Sequence, residues 1–332
     1  MAASSLSVVI PVRNEAPHLP ETIDALLRAV SGSGFAAELV LVDDGSTDRS
    51  ADVVRERVNG QLPLRVVEQP ASGRFEARRA GLEEATGELA LLLDARVRLA
   101  PDALRFVHDR FEQGEAVWNA HVHIATESPL GLFWQLLAEL AWRDYFDRPR
   151  TTSFGAGDFD RFPKGTTCFL APRELLLEAF ADFTTHYRDA RLANDDTPIL
   201  RRLAAQRRIS ISPRFACDYV PRTTVGRFFR HAVHRGVVFV DGHGTPDSRF
   251  FPAVVAFFPL SAMLVAFAPR RPLLLPAAAA ACGVAAAAYG AYAGRPRSDL
   301  AVLLFVTPLY AVGHGLGMWR GALEFVRGAA AR

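Results

Sequence analysis

Between Leu6 and Leu93, short apolar runs alternate with longer segments of helical period, and this alternation constrains the fold more than any other feature of the chain. Residues 6–12 read as a buried strand, and the segment that begins near Pro20 carries Ile23, Leu26, Leu27 and Val30 on one helical face. The unit repeats: residues 39–42 are followed by a helical 46–58, residues 64–67 by 74–85, and residues 89–93 form a fourth apolar run. Such alternation predicts an α/β class fold, a parallel sheet flanked by helices, because parallel strands need a crossover that a helix supplies.

In sheets of this kind ligands bind beyond the carboxyl ends of the strands, so the residues after each run are the first candidates for chemistry. The first run ends in Pro11-Val12-Arg13-Asn14-Glu15, the second in Asp43-Asp44-Gly45-Ser46 and the fourth in Asp94-Ala95-Arg96, which gathers polar and acidic groups at one edge. Residues 100–215 are less regular. They contain a helical stretch at 130–145, a loop rich in Gly, Asp and Phe near 153–167, and Asn194-Asp195-Asp196-Thr197-Pro198 opening another helix. There Thr197 is expected as N-cap and Pro198 as the first helical residue.

After Phe250 the composition changes. Residues 250–268, 273–293 and 300–318 are apolar stretches, each close to the roughly 20 residues that span a bilayer as a helix. The middle one is mostly alanine, and arginines stand in both connecting loops, so the distribution of positive charge does not orient the spans. Just before them, residues 222–240 mix arginine and histidine with Phe228, Phe229, Val233, Val237 and Val238 at helical spacing, a basic amphipathic segment suited to a membrane surface. The expected organisation is a domain at 1–221, an interfacial segment at 222–249, and a membrane region at 250–332 with about three transmembrane helices.

The chain's 38 basic and 36 acidic residues leave a formal charge of +2, which gives no sign of a nucleic-acid partner. Cys168, Cys217 and Cys282 follow no zinc or disulfide pattern and suit a reducing compartment. The first apolar run lacks a basic flank and leads straight into polar residues, so it reads as a strand and not a signal peptide; the catalytic part is accordingly expected in the cytoplasm. A dinucleotide-binding dehydrogenase is disfavoured, because Gly32-Ser33-Gly34 follows a helix and precedes a strand.

Four segments, taken in order and with their spacing, resemble the successive motifs of family 2 glycosyltransferases. They are Val9-Ile10-Pro11-Val12-Arg13-Asn14-Glu15, Val42-Asp43-Asp44-Gly45-Ser46-Thr47-Asp48, Gly73 through Arg78 to Gly81, and Leu93-Asp94-Ala95. The resemblance covers about residues 6–245 and implies the GT-A fold. Within the family, Asn194-Asp195-Asp196, residues 229–236 and the apolar tail are similar to bacterial exopolysaccharide glucosyltransferases of the succinoglycan type. That likeness implies an inverting transfer of a sugar from a nucleotide-diphosphate sugar, a UDP-hexose, to a polyprenyl-linked saccharide at the inner membrane, in surface polysaccharide or glycolipid synthesis.

Roles follow from the resemblance position by position. Asp44 would accept the imide N–H of uracil, with Pro11, Val12, Arg13 and Glu15 lining the nucleoside pocket. The same Asp43–Thr47 stretch also suits a plain turn and helix cap. Asp94 and Ala95 stand where the family has an Asp-x-Asp motif that holds ribose and a divalent cation, Mg or Mn, on the diphosphate. Here the third position is Arg96, which cannot ligate a metal; it either pairs with diphosphate oxygens or is a solvated loop arginine. Asp196 is implied as the general base, beside Asp195, though two aspartates also favour a helix start electrostatically. Arg78 would support the diphosphate, and Arg79 replaces the family's usual asparagine. Arg230, His231, His234 and Arg235 would meet lipid headgroups or a carrier phosphate. Two other readings stay open: a polyprenyl-phosphate sugar synthase, whose acceptor is already ionised, and a silent membrane module that binds the nucleotide sugar without turnover.

Overall fold

The computed structural model describes residues 4–246, 248 and 250–329, so the expected segments 1–221, 222–249 and 250–332 fall partly outside the described residues. The chain divides into two compact units. The first takes residues 1–125, 142–183 and 195–220, and the second 126–141, 184–194 and 221–332. The sequence reading treats 1–221 as one continuous domain, whereas two stretches inside it belong to the second unit.

The first unit opens with β1 (Ser5–Val12), α1 (Leu19–Val30), β2 (Ala36–Asp44), α2 (Ser50–Val58), β3 (Leu64–Gln69), α3 (Arg74–Glu84) and β4 (Leu89–Leu93). It continues through β5 (Val97–Leu99), α4 (Ala103–Phe111) and β6 (Trp118–Ile124). The chain then leaves for α5 (Pro129–Ala141) of the second unit and returns with α6 (Arg143–Phe146), β7 (Thr152–Phe154), β8 (Cys168–Pro172), α7 (Arg173–Ala181), α8 (Asp196–Gln206) and β9 (Ile209–Tyr219). Among the described residues the strands form a single sheet in the order β3-β2-β1-β4-β8-β6-β9-β5, with β7 on β9.

The first four strands are parallel, as their helical crossovers require. Beyond them the sheet is mixed: β8 runs antiparallel to β4 and β6, and β6 is parallel to β9. Both faces are covered. Leu6, Val8, Ile10 and Val12 of β1 point to one core with Leu19, Ile23 and Leu26 of α1 and Val54 of α2. Val9, between them in the pleat, points to the other, with Phe75 and Leu82 of α3, Leu176 of α7 and Leu203 of α8. A fully buried Leu or Ile is worth about 1.5–3 kcal/mol relative to exposure, so these two layers hold the rim loops on a rigid base.

The second unit contains α5, α9 (Val225–His243), α10 (Phe251–Phe267), α11 (Leu274–Tyr292) and α12 (Arg297–Ala329). α9 lies backbone to backbone on α12: a Cβ at Gly236 would stand 2.0 Å from the His314 carbonyl oxygen, so only glycine fits there. Phe133, Phe228 and Val306 form one small core of this unit. Asp241, on α9, fastens the 184–194 stretch by accepting from Thr185 Oγ1 at 2.9 Å, His186 N at 3.1 Å and Asn194 N at 2.8 Å.

Among the described residues two helices are long and apolar enough to cross a membrane, Leu274–Tyr292 with 19 residues and Arg297–Gly328 with 32. The other expected span, α10, has 17 residues and carries Pro259 inside it. Only 11% and 22% of the apolar windows of the two long helices are buried, which separates them from the core helices of a water-soluble protein. Leu260, Met263, Val284, Phe305, Val312 and Leu316 are exposed, and such outward apolar side chains suit membrane association.

Candidate functional site

The rim is built first from the loops after β1 and β2, which are stitched together. Asn14, with φ of 54°, accepts from Thr47 N at 2.8 Å through Oδ1, and its own N–H donates to Ser46 Oγ at 3.1 Å. The Glu15 N–H donates to Ser50 Oγ at 3.0 Å and the Ala16 N–H to Asp48 Oδ2 at 3.1 Å. Gly45, with φ of +71° and Ala71 N only 2.9 Å from where a Cβ would be, turns the chain tightly after Asp44.

Asp44 is buried, and its carboxylate accepts from Gln69 Nε2 at 2.7 Å, Ser72 N at 2.7 Å and Gly73 N at 2.9 Å. It therefore holds the loop that delivers α3. The alternative of a plain turn and cap within 43–47 fits Asp43, which accepts from Ser46 N at 2.7 Å, but not Asp44, whose bonds reach across to the β3–α3 loop. Val12 is packed in the core, Pro11 is half-buried, and Arg13 stands exposed just past the end of β1.

Arg96 is neither solvated nor turned outward. Its side chain is 8% exposed and its Nε donates to Glu15 Oε2 at 2.8 Å, so the loops after β4 and β1 meet in a buried ion pair. Ala95, also buried, is fixed through its carbonyl oxygen, which accepts from Thr22 Oγ1 of α1 at 3.0 Å.

The centre of the site is Arg78. Its side chain, on α3 and 1% exposed, reaches Asp94 Oδ1 at 2.7 Å through Nη2 and Asp195 Oδ2 at 3.1 Å and Asp196 Oδ1 at 3.4 Å through Nη1. Nη2 also donates to the Thr166 carbonyl oxygen at 3.3 Å, while the Thr166 hydroxyl donates to Asp196 Oδ1. One turn earlier on the same face, Arg74 Nη2 stands 3.4 Å from Asp195 Oδ1. The acids at the end of β4 and the start of α8 thus converge, and Asp44 joins them through Gly73, the residue before Arg74. Burial pushes the Asp195 carboxyl above its ordinary value and Asp196 acts in the same direction, while Arg74 and Arg78 oppose them.

Several expectations change. α8 begins at Asp196 with Asp195 as N-cap residue, two positions ahead of the expected Thr197–Pro198 start, and Asp195 makes no side-chain cap bond, because its carboxylate faces the two arginines. Arg78, expected at the diphosphate, is placed among the carboxylates. Thr166 and Arg74 are additions: nothing in the loop around Thr166 signals it, whereas Arg74 is readable as the residue four before Arg78 on one helix face.

A divalent cation needs several oxygen ligands about 2.0–2.6 Å away. Among the described residues no group of three or more His, Cys, Asp or Glu side chains is placed to hold one. Asp94 faces Arg78, and Arg96 takes the place of the second acid, so in this arrangement the side chains by themselves do not form a metal site.

In the second unit, Arg230 and Arg235 are exposed on α9 and His231 and His234 half-buried, with the His231 ring edge-on to Trp134 at 4.8 Å between centroids.

Residues 7–172, half of the chain, match the sequence profile of "Glycosyl transferase family 2". The chain belongs to that family. This glycosyltransferase has the GT-A fold with a mixed sheet, followed by the apolar helices. It is similar to the undecaprenyl-phosphate 4-deoxy-4-formamido-L-arabinose transferase of Pseudomonas paraeruginosa, 38% identical over 111 residues that make up 33% of each chain. The enzyme of the same description from Edwardsiella ictaluri is 36% identical over 111 residues, 33% of this chain and 34% of that one. The glycosyltransferase thus spans about a third of the length of these curated relatives. Neither is a succinoglycan glucosyltransferase, so they support the family and not the narrower likeness. A solved mannosyltransferase from Pyrobaculum calidifontis, in complex with GDP-Man and Mn2+, covers 95% of this chain and 86% of its own with a TM-score of 0.59 and 21% identity, a likeness of fold.

Proposed function

We propose that the protein transfers a glycosyl group from a nucleotide-diphosphate sugar to the phosphate of a polyprenyl carrier at a membrane. The observation that carries this reading is the convergence of Asp94, Asp195 and Asp196 on Arg78 at the carboxyl edge of the parallel strands, where a family 2 enzyme handles its donor. The relatives that match a third of the chain are named for undecaprenyl phosphate, and the apolar helices suit such an acceptor. The relatives favour the lipid phosphate over the saccharide expected first, whereas the helices suit either, since both acceptors are carried on a polyprenyl chain.

In the reaction an acceptor oxygen forms a bond to the anomeric carbon while the bond from that carbon to the donor's diphosphate breaks. Its electron pair leaves with the nucleoside diphosphate, and in one displacement the anomeric centre inverts. Asp44 and the loop it holds frame the nucleoside, and the exposed Arg13 and half-exposed Arg74 are cations at this edge for the leaving diphosphate. The carrier's phosphate would meet Arg230, His231, His234 and Arg235. The protein would sit in the plasma membrane with its first unit on the cytoplasmic side.

A saccharide acceptor is the second reading, favoured by Asp196, whose side chain is 31% exposed beside the buried Arg78, so that it could serve as a general base. A hydroxyl must lose a proton during attack and a phosphate need not. Asp196→Asn is therefore expected to stay within about tenfold of wild type with undecaprenyl phosphate, whereas a saccharide acceptor would lose about 10²–10⁴-fold in rate. A loss of that size on the lipid phosphate sinks the first reading.

A further inference from the structure

The acids of the site already share a cation, and it is a side chain. All four terminal N–H bonds of the Arg78 guanidinium have acceptors: Asp94 and the Thr166 carbonyl oxygen for Nη2, Asp195 and Asp196 for Nη1. The group is planar and always charged, so a single residue both neutralises these carboxylates and fixes the directions in which they point. Its Nε is buried without a hydrogen-bond partner, which leaves the fork to the carboxylates as what holds the side chain in place.

We propose that the Arg78 guanidinium stands in for a divalent ion among Asp94, Asp195 and Asp196, so that the free protein binds no divalent ion there while that arginine is present. The three carboxylate oxygens lie 2.7, 3.1 and 3.4 Å from the guanidinium nitrogens, in the space an ion would have to enter. Ligands of Mg²⁺ or Mn²⁺ stand nearer, at about 2.0–2.2 Å, so an ion would have to expel the buried guanidinium before the oxygens could close on it. No second acid waits two residues after Asp94: Arg96 is there, and it is turned to Glu15. The inference concerns the cation of the acid cluster and holds for either acceptor.

The converse is the test. Without Arg78, the three carboxylates lose the cation they share while Arg74 stays on Asp195, and they are expected to draw in a hard cation in its place. Mn²⁺ is titrated into the full chain in detergent, without nucleotide, and the free-ion electron paramagnetic resonance signal is followed, with circular dichroism to establish folding. Wild type is expected to leave the signal as in protein-free buffer, and Arg78→Ala to bind one ion at least about tenfold more tightly, a site that adding Asp94→Asn removes. Arg78→Lys, which keeps the charge, is expected to bind none. Stoichiometric binding by wild type that Asp94→Asn abolishes overturns the proposal, as does folded Arg78→Ala that binds no better than wild type. Should Arg78→Ala not fold, the wild-type and Asp94→Asn arms decide: a silent wild type supports the proposal, and binding lost with Asp94 refutes it.

Discussion

Replacing Asp44 by alanine separates two things this carboxylate is asked to do. The residue is 4% exposed, and it accepts from one side-chain amide and the backbone N–H groups of Ser72 and Gly73. Hydrogen bonds to a charged acceptor contribute about 1.5–3 kcal/mol each. Ser72 and Gly73 are half-exposed and water recovers part of the loss, so taking the lower value for the two backbone bonds gives about 3 kcal/mol. In a unit of roughly 200 residues each kcal/mol moves the midpoint by about 2–4 °C, so Asp44→Ala is expected to melt about 6–12 °C lower. Asp44→Asn, which keeps one acceptor oxygen but turns an amide toward a donor, should lose about half as much. The assay is a near-ultraviolet circular dichroism melt of the full chain in mild detergent, paired with calorimetric titration of donor nucleotide. Both variants should also bind donor more weakly, because the loop that opens α3 shifts. A melt unchanged to within about a degree, with donor affinity lost, would refute the scaffold argument; a lowered melt with affinity intact would remove Asp44 from the nucleoside pocket.

Two further outcomes test the frame around the site. In Gly81→Ala the new methyl would stand 2.3 Å from Val9 Cγ1 and 3.0 Å from Val42 Cγ2, where α3 crosses β1 and β2. Overpacking of this kind costs about 1–3 kcal/mol, so denaturant midpoints should fall while the folded fraction keeps its donor affinity; a neutral substitution would show that α3 lies farther from the sheet. Glu38 is pushed up by burial but pulled down further by hydrogen bonds from Ser7 and Thr86, so its folded value lies below its ordinary 4.5. A depressed carboxyl contributes stability that is complete above its unfolded value and is lost as pH falls through the folded one. The gap in stability between wild type and Glu38→Gln should therefore be largest above about pH 5 and close on acidification; a gap independent of pH would contradict it.

The half of the fold with strand–helix periodicity was legible. β1 to β4 stand within three residues of their apolar runs, because strands buried on both faces read as continuous hydrophobic segments. The mixed half was not. β5 and β7 have three residues each, too short for any period, and β8 and β9 take their partners from far along the chain. At the site, chain position put Asp44 and Asp94 at strand ends and Asp196 near a helix start, features that can be read locally. What each carboxylate faces was hidden: Arg78 and Asp195 are 117 positions apart, and no local pattern encodes such a pairing. Arg96 shows the same limit. Its displacement of an acid is visible in the sequence, while its burial against Glu15 follows from how two loops fold over α1.

The most direct test of transfer to a lipid phosphate is to incubate the full chain in detergent with radiolabelled nucleotide sugars and undecaprenyl phosphate, then follow label into the organic phase together with release of nucleoside diphosphate. The predicted result is label in a mild-acid-labile lipid, formed in step with nucleoside diphosphate and absent with Asp94→Asn. Label that stays in the aqueous phase with undecaprenyl phosphate, yet moves to a lipid-linked saccharide supplied in its place, would contradict the account.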